Sequence, residues 1–281
     1  MLTVLEIIKR TTEFLAGKGI ESPRLNAELL IGHALQRKRM QLYLEFERPL
    51  AEAELETIRP LVRRRAQHEP LQYIVGETDF FGLRLKVDRR ALIPRPETEQ
   101  LVEHVVALFS SEPPASVLDL GTGSGAIALA LAKHFPQAMV VAVDSSEAAL
   151  ALARENAAST SLTERVQFQL SDWLAAISPR EFDVIISNPP YLSDVETAET
   201  ALEVHGFEPI GALAAAEEGI ADLARIIHDS PPYLRLGGVL ALETGISQHA
   251  KLAALAQSAG FVRTDSKRDL AGRDRFVFAF R

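Results

Sequence analysis

From Ser116 onward, short apolar runs alternate with helical stretches, and no other feature constrains the fold so tightly. SVLDLG (116–121), MVVAVDS (139–145), VQFQLSD (166–172) and FDVIISN (182–188) read as buried strands. AIALALAKHF (126–135) and EAALALARENAAS (147–159) between them carry helical spacing. Further on, 222–234 reads as a helix, 237–245 as a strand and 247–259 as a helix, with FVRTDSKRDL and RFVFAF as a closing antiparallel pair. Strands alternating with helices of roughly 10–15 residues predict an α/β fold, a doubly wound parallel sheet covered on both faces.

The first 70 residues carry a different pattern. Leu2, Leu5, Ile8 and Leu15 repeat at helical spacing, and Gly17 and Gly19 close that helix. Ser22-Pro23 opens a second helix with a cap and an N1 proline, and Leu55, Ile58, Leu61 and Val62 mark a third. Residues 73–88 alternate around glycines, with Leu83, Leu85 and Val87 on one face, and predict a β-hairpin. The expected organisation is a small helical bundle over 1–72, a hairpin linker over 73–90 and the α/β domain over 91–281.

Composition narrows the function. The 281 residues include no cysteine, which excludes disulfides, thiolate zinc sites, iron–sulfur clusters and thiol nucleophiles; no metal site is expected. Residues 1–90 carry a net charge of +3, and residues 91–281 carry −11. An acidic larger domain is a poor footprint for duplex nucleic acid, so no direct nucleic-acid binding is expected. The basic runs Arg37-Lys38-Arg39 and Arg63-Arg64-Arg65 read as solvated helix faces, a partner-docking surface being the alternative. The longest uncharged run, 120–132, is too short and too glycine-interrupted for a membrane span. Glu6 interrupts the only N-terminal apolar stretch, which rules out a signal peptide and leaves a cytoplasmic protein, expected to be a monomer.

Asp119-Leu120-Gly121-Thr122-Gly123-Ser124-Gly125-Ala126 runs from strand into helix. Gly121 permits the sharp turn, Gly123 lets backbone approach a ligand, and Gly125-Ala126 lets the helix pack on the strand. The run satisfies both the dinucleotide pattern G-x-G-x-x-[GA] and the D-x-G-x-G-x-G pattern of S-adenosylmethionine enzymes. Asp144 ends the second strand, where it either accepts from ribose hydroxyls or caps the next helix. Asp119 either holds an amino group of the ligand or braces the turn. Asp172 and Trp173 end the third strand, placed by this reading beside the first, where an adenine would find a carboxylate for its exocyclic amine and an indole for its face. Trp173 as a partly buried core aromatic is the alternative.

Asn188-Pro189-Pro190-Tyr191 ends the fourth strand and points to methyl transfer onto a planar nitrogen. The lone pair of an amide or aryl NH₂ is delocalised, so a site must hold both N–H bonds on fixed acceptors and turn the nitrogen face towards the methyl. Asn188 offers a side-chain carbonyl, Pro189 a backbone carbonyl held by its ring, and Tyr191 a flat wall. A nicotinamide-dependent dehydrogenase would leave these four residues without a role, and a binding module that kept the fold would not need them.

Taken together, these motifs resemble the HemK/PrmC family, glutamine N5-methyltransferases of peptide chain release factors. The resemblance spans the whole chain and includes Leu92-Ile93-Pro94-Arg95-Pro96-Glu97-Thr98-Glu99 and Phe207-Glu208-Pro209. It implies a Rossmann-like methyltransferase sheet whose Asp119, Gly121, Thr122, Gly123, Ser124, Gly125, Asp144, Asp172, Trp173 and Asn188 hold S-adenosylmethionine. It implies that Asn188, Pro189, Pro190 and Tyr191 hold the substrate glutamine, with Asn188, Pro189 and Tyr191 serving catalysis. It further implies that the N-terminal bundle docks a release factor and inserts the glutamine of its Gly-Gly-Gln loop. Adenine N6 methylation of DNA or RNA uses the same acceptor chemistry and is the alternative. Residues 94–99 read either as a lid or as a stiff linker with Thr98 capping the next helix. Phe80 and Phe81 read as pocket wall or core, and Glu243, ending a later strand, as an organiser of the sheet edge.

Overall fold

The computed structural model describes residues 2–178 and 181–281, and they fall into two compact units: Met1–Gly76 with Ala201–Phe207, and Glu77–Thr200 with Glu208–Arg281. In the first, α1 (Val4–Ala16), α2 (Pro23–Leu35), α3 (Arg39–Leu44), α4 (Glu52–Ala66) and α5 (Leu71–Val75) surround Ile8, Leu15, Leu30, Ile31, Ile58 and Ile74. Thr3 and Glu6 form a reciprocal capping box at the start of α1. Arg65 is buried, donates to Asn26 Oδ1 at 2.7 Å and pairs with Glu203 at 2.7 Å. Arg64 pairs with Glu69, which leaves Arg63 as the exposed member of that basic run.

The second unit begins with the hairpin β1 (Glu77–Phe80) and β2 (Leu83–Lys86). It starts later than the alternation predicted, because Leu71–Val75 forms a turn of helix closed by left-handed Gly76. Phe80, Leu83 and Leu85 are buried in the core of the sheet unit, so the hairpin is part of that unit rather than a linker. The chain continues through α6 (Pro96–Leu108), β3 (Ser116–Leu120), α7 (Ala126–His134), β4 (Met139–Asp144), α8 (Glu147–Ser159), β5 (Val166–Leu170) and β6 (Phe182–Ser187). The short helices α9 (Asp194–Glu199), α10 (Leu202–His205) and α11 (Ala216–Gly219) lead to α12 (Ala221–Asp229), β7 (Leu234–Glu243), α13 (His249–Ser258), β8 (Arg263–Arg268) and β9 (Asp274–Phe280). α12 stops short of the predicted end because Pro231 and Pro232 cannot continue it.

The seven-stranded sheet runs β5-β4-β3-β6-β7-β9-β8, parallel from β5 to β7, with β9 antiparallel to both of its neighbours. Every residue of β3 and β6 is buried, as parallel strands covered on both faces require. Alternate residues divide between two cores. Val117, Val184 and Val239 face Leu101 of α6 and Leu129 of α7, while Leu118, Ile185 and Leu240 face Ile226 of α12 and Leu252 of α13. The sequence placed the third strand of the α/β alternation beside the first. It pairs instead with β4 at the sheet edge, and two helical crossovers in the same direction put it there.

Candidate active site

β3 and β6 are neighbours although β4 and β5 intervene in sequence, and a sheet wound outwards in both directions leaves a crevice at this point. A cavity of about 410 Å³ lies there, walled by loops that follow the carboxyl ends of β3, β4, β5 and β6. Gly121, Thr122, Gly123, Ser124, Asp144, Asp172, Trp173, Asn188 and Pro190 all line it. Leu92, Ile93, Pro94 and Arg95 form an opposing wall, with Pro209 and Gly211.

The glycine turn is shaped by what approaches it. Gly121 has φ +70°, and a Cβ there would stand 3.1 Å from the Trp173 ring, so the bare Cα is what admits the indole. A Cβ on Gly125 would stand 3.1 Å from Ala153 Cβ; this glycine lets the turn pack on α8, not on a strand as the sequence suggested. Gly125 lines no part of the cavity, nor does Asp119. Asp119 is fully buried, its Oδ2 accepting from Thr122 Oγ1 at 2.6 Å and from the Ala128 amide at 3.2 Å. Burial pushes its carboxyl up to about 7. The two bonds to Oδ2 brace the turn, and Oδ1 is buried with no hydrogen-bond partner.

Asp144 faces the cavity with each oxygen already oriented: Oδ2 accepts from the Gly123 amide at 2.9 Å, Oδ1 from the Ser146 amide at 2.8 Å. Burial raises its pKa against the pull of these amides. Ser146, not Asp144, caps α8, through a bond from the Ala149 amide. Trp173 adopts a left-handed φ of +49°, a strained conformation of the kind found at ligand sites, and its Nε1 donates to Asp222 Oδ1 at 3.1 Å. Its indole packs on the core and lines the cavity at once. Arg225 donates to Asp172 at 2.8 Å.

Asn188 is held by a chain of hydrogen bonds that sequence reading missed. Its Nδ2 donates to Thr98 Oγ1 at 2.9 Å, and Thr98 Oγ1 donates to Glu243 Oε2 at 2.7 Å. Glu243 Oε1 accepts from the Tyr191 hydroxyl at 3.1 Å. Burial drives Glu243 up to about 7 and also raises the Tyr191 phenol, with the Glu243 charge adding to that second shift. Thr98 is therefore not the cap of α6; it sits inside the first turn, buried. The Tyr191 hydroxyl is drawn to buried Glu243, and the Pro189 ring is buried; neither residue is among those that line this cavity. Phe80 belongs to the core, and neither it nor Phe81 lines the cavity. The wall of residues 92–95 is fastened by buried Glu208, which accepts from the Ile93 amide at 3.0 Å and pairs with Arg95.

A glycine turn, an acid on the next strand and an Asn-Pro-Pro-Tyr strand end around one crevice define a methyltransferase, and the comparisons agree. Residues 6–76 match the PrmC N-terminal domain and residues 97–204 the methyltransferase small domain. The catalytic domain of hMettl16, solved with a MAT2A 3′UTR hairpin, superposes with a TM-score of 0.59 at 18% identity, covering 78% of this chain and 81% of that one. The release factor glutamine methyltransferase of Rhodopirellula baltica is 40% identical over 98% of this chain and 95% of its own length. That of Chlorobaculum tepidum is 45% identical over 86% and 85%. The chain belongs to the release factor glutamine methyltransferase family.

Proposed function

We propose that this protein transfers a methyl group from S-adenosylmethionine to the side-chain nitrogen, N5, of the glutamine in the Gly-Gly-Gln loop of peptide chain release factors. The observation that carries the reading is the fixed orientation of Asn188. Ionised Glu243 only accepts, and in that state Thr98 donates to it and accepts from Asn188 Nδ2. The Asn188 carbonyl oxygen is then the end left for the cavity, where an acceptor for an amide N–H is needed.

The crevice suits S-adenosylmethionine. Each Asp144 oxygen keeps a lone pair beyond its backbone partner and would take the ribose hydroxyls. Trp173 would cover the adenine face and Asp172 would accept from its amine, while the Gly121–Ser124 backbone would lie along the amino-acid moiety. When bound, the cofactor supplies an electrophilic methyl on a sulfonium sulfur. Asn188 Oδ1 and the Pro189 carbonyl would each hold one N–H of the substrate amide, and Pro190 would flank it. The part of Tyr191 is indirect, through Glu243. The methylated nitrogen is acidic enough to lose its proton to water, so no histidine base is called for.

A planar amide is common to many proteins, so selectivity has to come from contacts remote from the chemistry. The helical unit supplies them in this reading: it carries the basic runs 37–39 and 63–65. Of Arg63, Arg64 and Arg65, only Arg63 is free to dock without disturbing the unit, so Arg63→Glu is the informative variant. It should raise KM for a release factor in a salt-dependent way and leave cofactor affinity unchanged. Among the described residues no helix is long and apolar enough to cross a membrane. The names of the full-length relatives favour release factors over DNA or RNA adenine. Mass spectrometry of a purified release factor after incubation with this protein and labelled cofactor tests the reading.

A further inference from the structure

We infer that Glu243 is a positioning residue: acting through Thr98, it sets which end of the Asn188 amide faces the substrate. The inference rests on the reading of Asn188 as the acceptor for the substrate amide. Three residues from three separate elements make the relay, Thr98 in the first turn of α6, Asn188 after β6 and Glu243 at the end of β7. The bonds are 2.7 Å from Thr98 to Glu243 and 2.9 Å from Asn188 to Thr98. Among the described residues, no protein group donates to Asn188 Oδ1.

The polarity of this chain follows from the charge at its buried end. Ionised Glu243 accepts on both oxygens, from Thr98 and from Tyr191, and the amide of Asn188 has one consistent orientation. Protonated Glu243 can donate to Thr98 Oγ1. The threonine proton is then free to turn towards Asn188, whose carbonyl swings to meet it and whose NH₂ swings into the cavity. Two N–H groups would then face each other, and the substrate amide would lose one of its acceptors.

Glu243 sits where this matters near neutrality. Burial pushes its carboxyl up to about 7. Arg275 across β9 pulls it down, and Glu97, on α6 and paired with Arg273, pushes it up; the Tyr191 hydroxyl faces its other oxygen. Arg275 is itself shared with the carbonyl of Thr244 and lies 3.9 Å from Asp269, so it does not neutralise Glu243 alone. A buried carboxylate with a raised pKa lowers the stability of the fold as it ionises, since the folded state prefers the proton.

Thr98→Val, Thr98→Ser and Glu243→Gln test the relay, with wild-type methylation of a release factor as the reference. Wild-type kcat should rise with pH through about 7, following ionisation of Glu243. Glu243→Gln should lose that rise. It should also gain thermal stability over wild type progressively as pH increases, because the wild type alone ionises at this position. Thr98→Val should lower kcat by roughly 10- to 100-fold, the worth of a charge-assisted hydrogen bond, with Kd for S-adenosylmethionine unchanged; Thr98→Ser should restore it. Carbon-13 titration of labelled glutamate carboxyls should show one resonance titrating near 7 that is absent from Glu243→Gln. The inference is overturned if wild type methylates the release factor and Thr98→Val matches its kcat, or if the pH rise survives in Glu243→Gln. Failure of wild type to methylate any release factor would instead overturn the substrate reading, and the carboxyl titration and stability difference would still report on Glu243.

Discussion

Replacing Asp144 with asparagine removes one acceptor oxygen and the charge while changing almost no volume. In the wild type, two opposed oxygens serve two backbone amides, Gly123 at 2.9 Å and Ser146 at 2.8 Å. Asparagine has one carbonyl oxygen, so its NH₂ must face one of these amides, donor against donor. An unsatisfied backbone N–H costs about 1–3 kcal/mol, and the loss falls on the glycine turn or on the entry to α8. The same oxygens are the ones proposed to take the ribose hydroxyls. Losing one charge-assisted bond there is worth about 1.5–3 kcal/mol, or roughly 10- to 150-fold in Kd. Calorimetric titration should therefore show Asp144→Asn binding S-adenosylmethionine and S-adenosylhomocysteine with equally weakened affinity, since both carry the ribose. Acidification should weaken wild-type binding as the Asp144 carboxyl, raised by burial, takes up a proton, and leave the variant's affinity flat. Affinity within twofold of wild type, with no fall in melting temperature, would refute the placement of the cofactor against Asp144.

Two further outcomes are expected. Asn188→Ala should leave cofactor affinity intact and cut turnover by roughly 10²–10³, as loss of one positioned polar partner does, while Asn188→Asp, which keeps an acceptor, should retain more activity; steady-state kinetics on a verified substrate decide it. Glu208→Gln should loosen the wall of residues 92–95 by leaving Arg95 without its counter-charge, lowering stability by about 1–2 kcal/mol and raising the cofactor Kd several-fold, as read by denaturant melts and calorimetry.

The parts of this protein that were legible in its sequence are those whose signals are local. The fully buried runs of β3 and β6, the positive-φ glycines between β3 and α7, and the acid ending β4 each advertise themselves within a few residues. The hairpin's start was misread because a single turn of helix, 71–75, has too few residues to show a period. The position of β5 was misread because strand order depends on the direction of each crossover and leaves no local trace. What held each site residue was hidden for a similar reason. Thr98 lies 145 residues from Glu243, Asn188 lies 90 from Thr98, and Trp173 lies 49 from Asp222. Glu243 did carry a signal, an acid ending an apolar strand as Asp144 does, but only the adjacency of β6 and β7 brings it to Asn188. Of the two readings the motif offered for Asp119, the bond from Thr122 carries the one that braces the turn.

The most direct test of the central claim is tandem mass spectrometry of a purified, unmethylated release factor incubated with this protein and isotopically labelled S-adenosylmethionine, with DNA and RNA in the same mixture. The account predicts one labelled methyl on the side-chain nitrogen of the Gly-Gly-Gln glutamine and none on nucleic acid. Label on adenine, or a release factor that stays unmodified while the protein is folded and binds its cofactor, would contradict it.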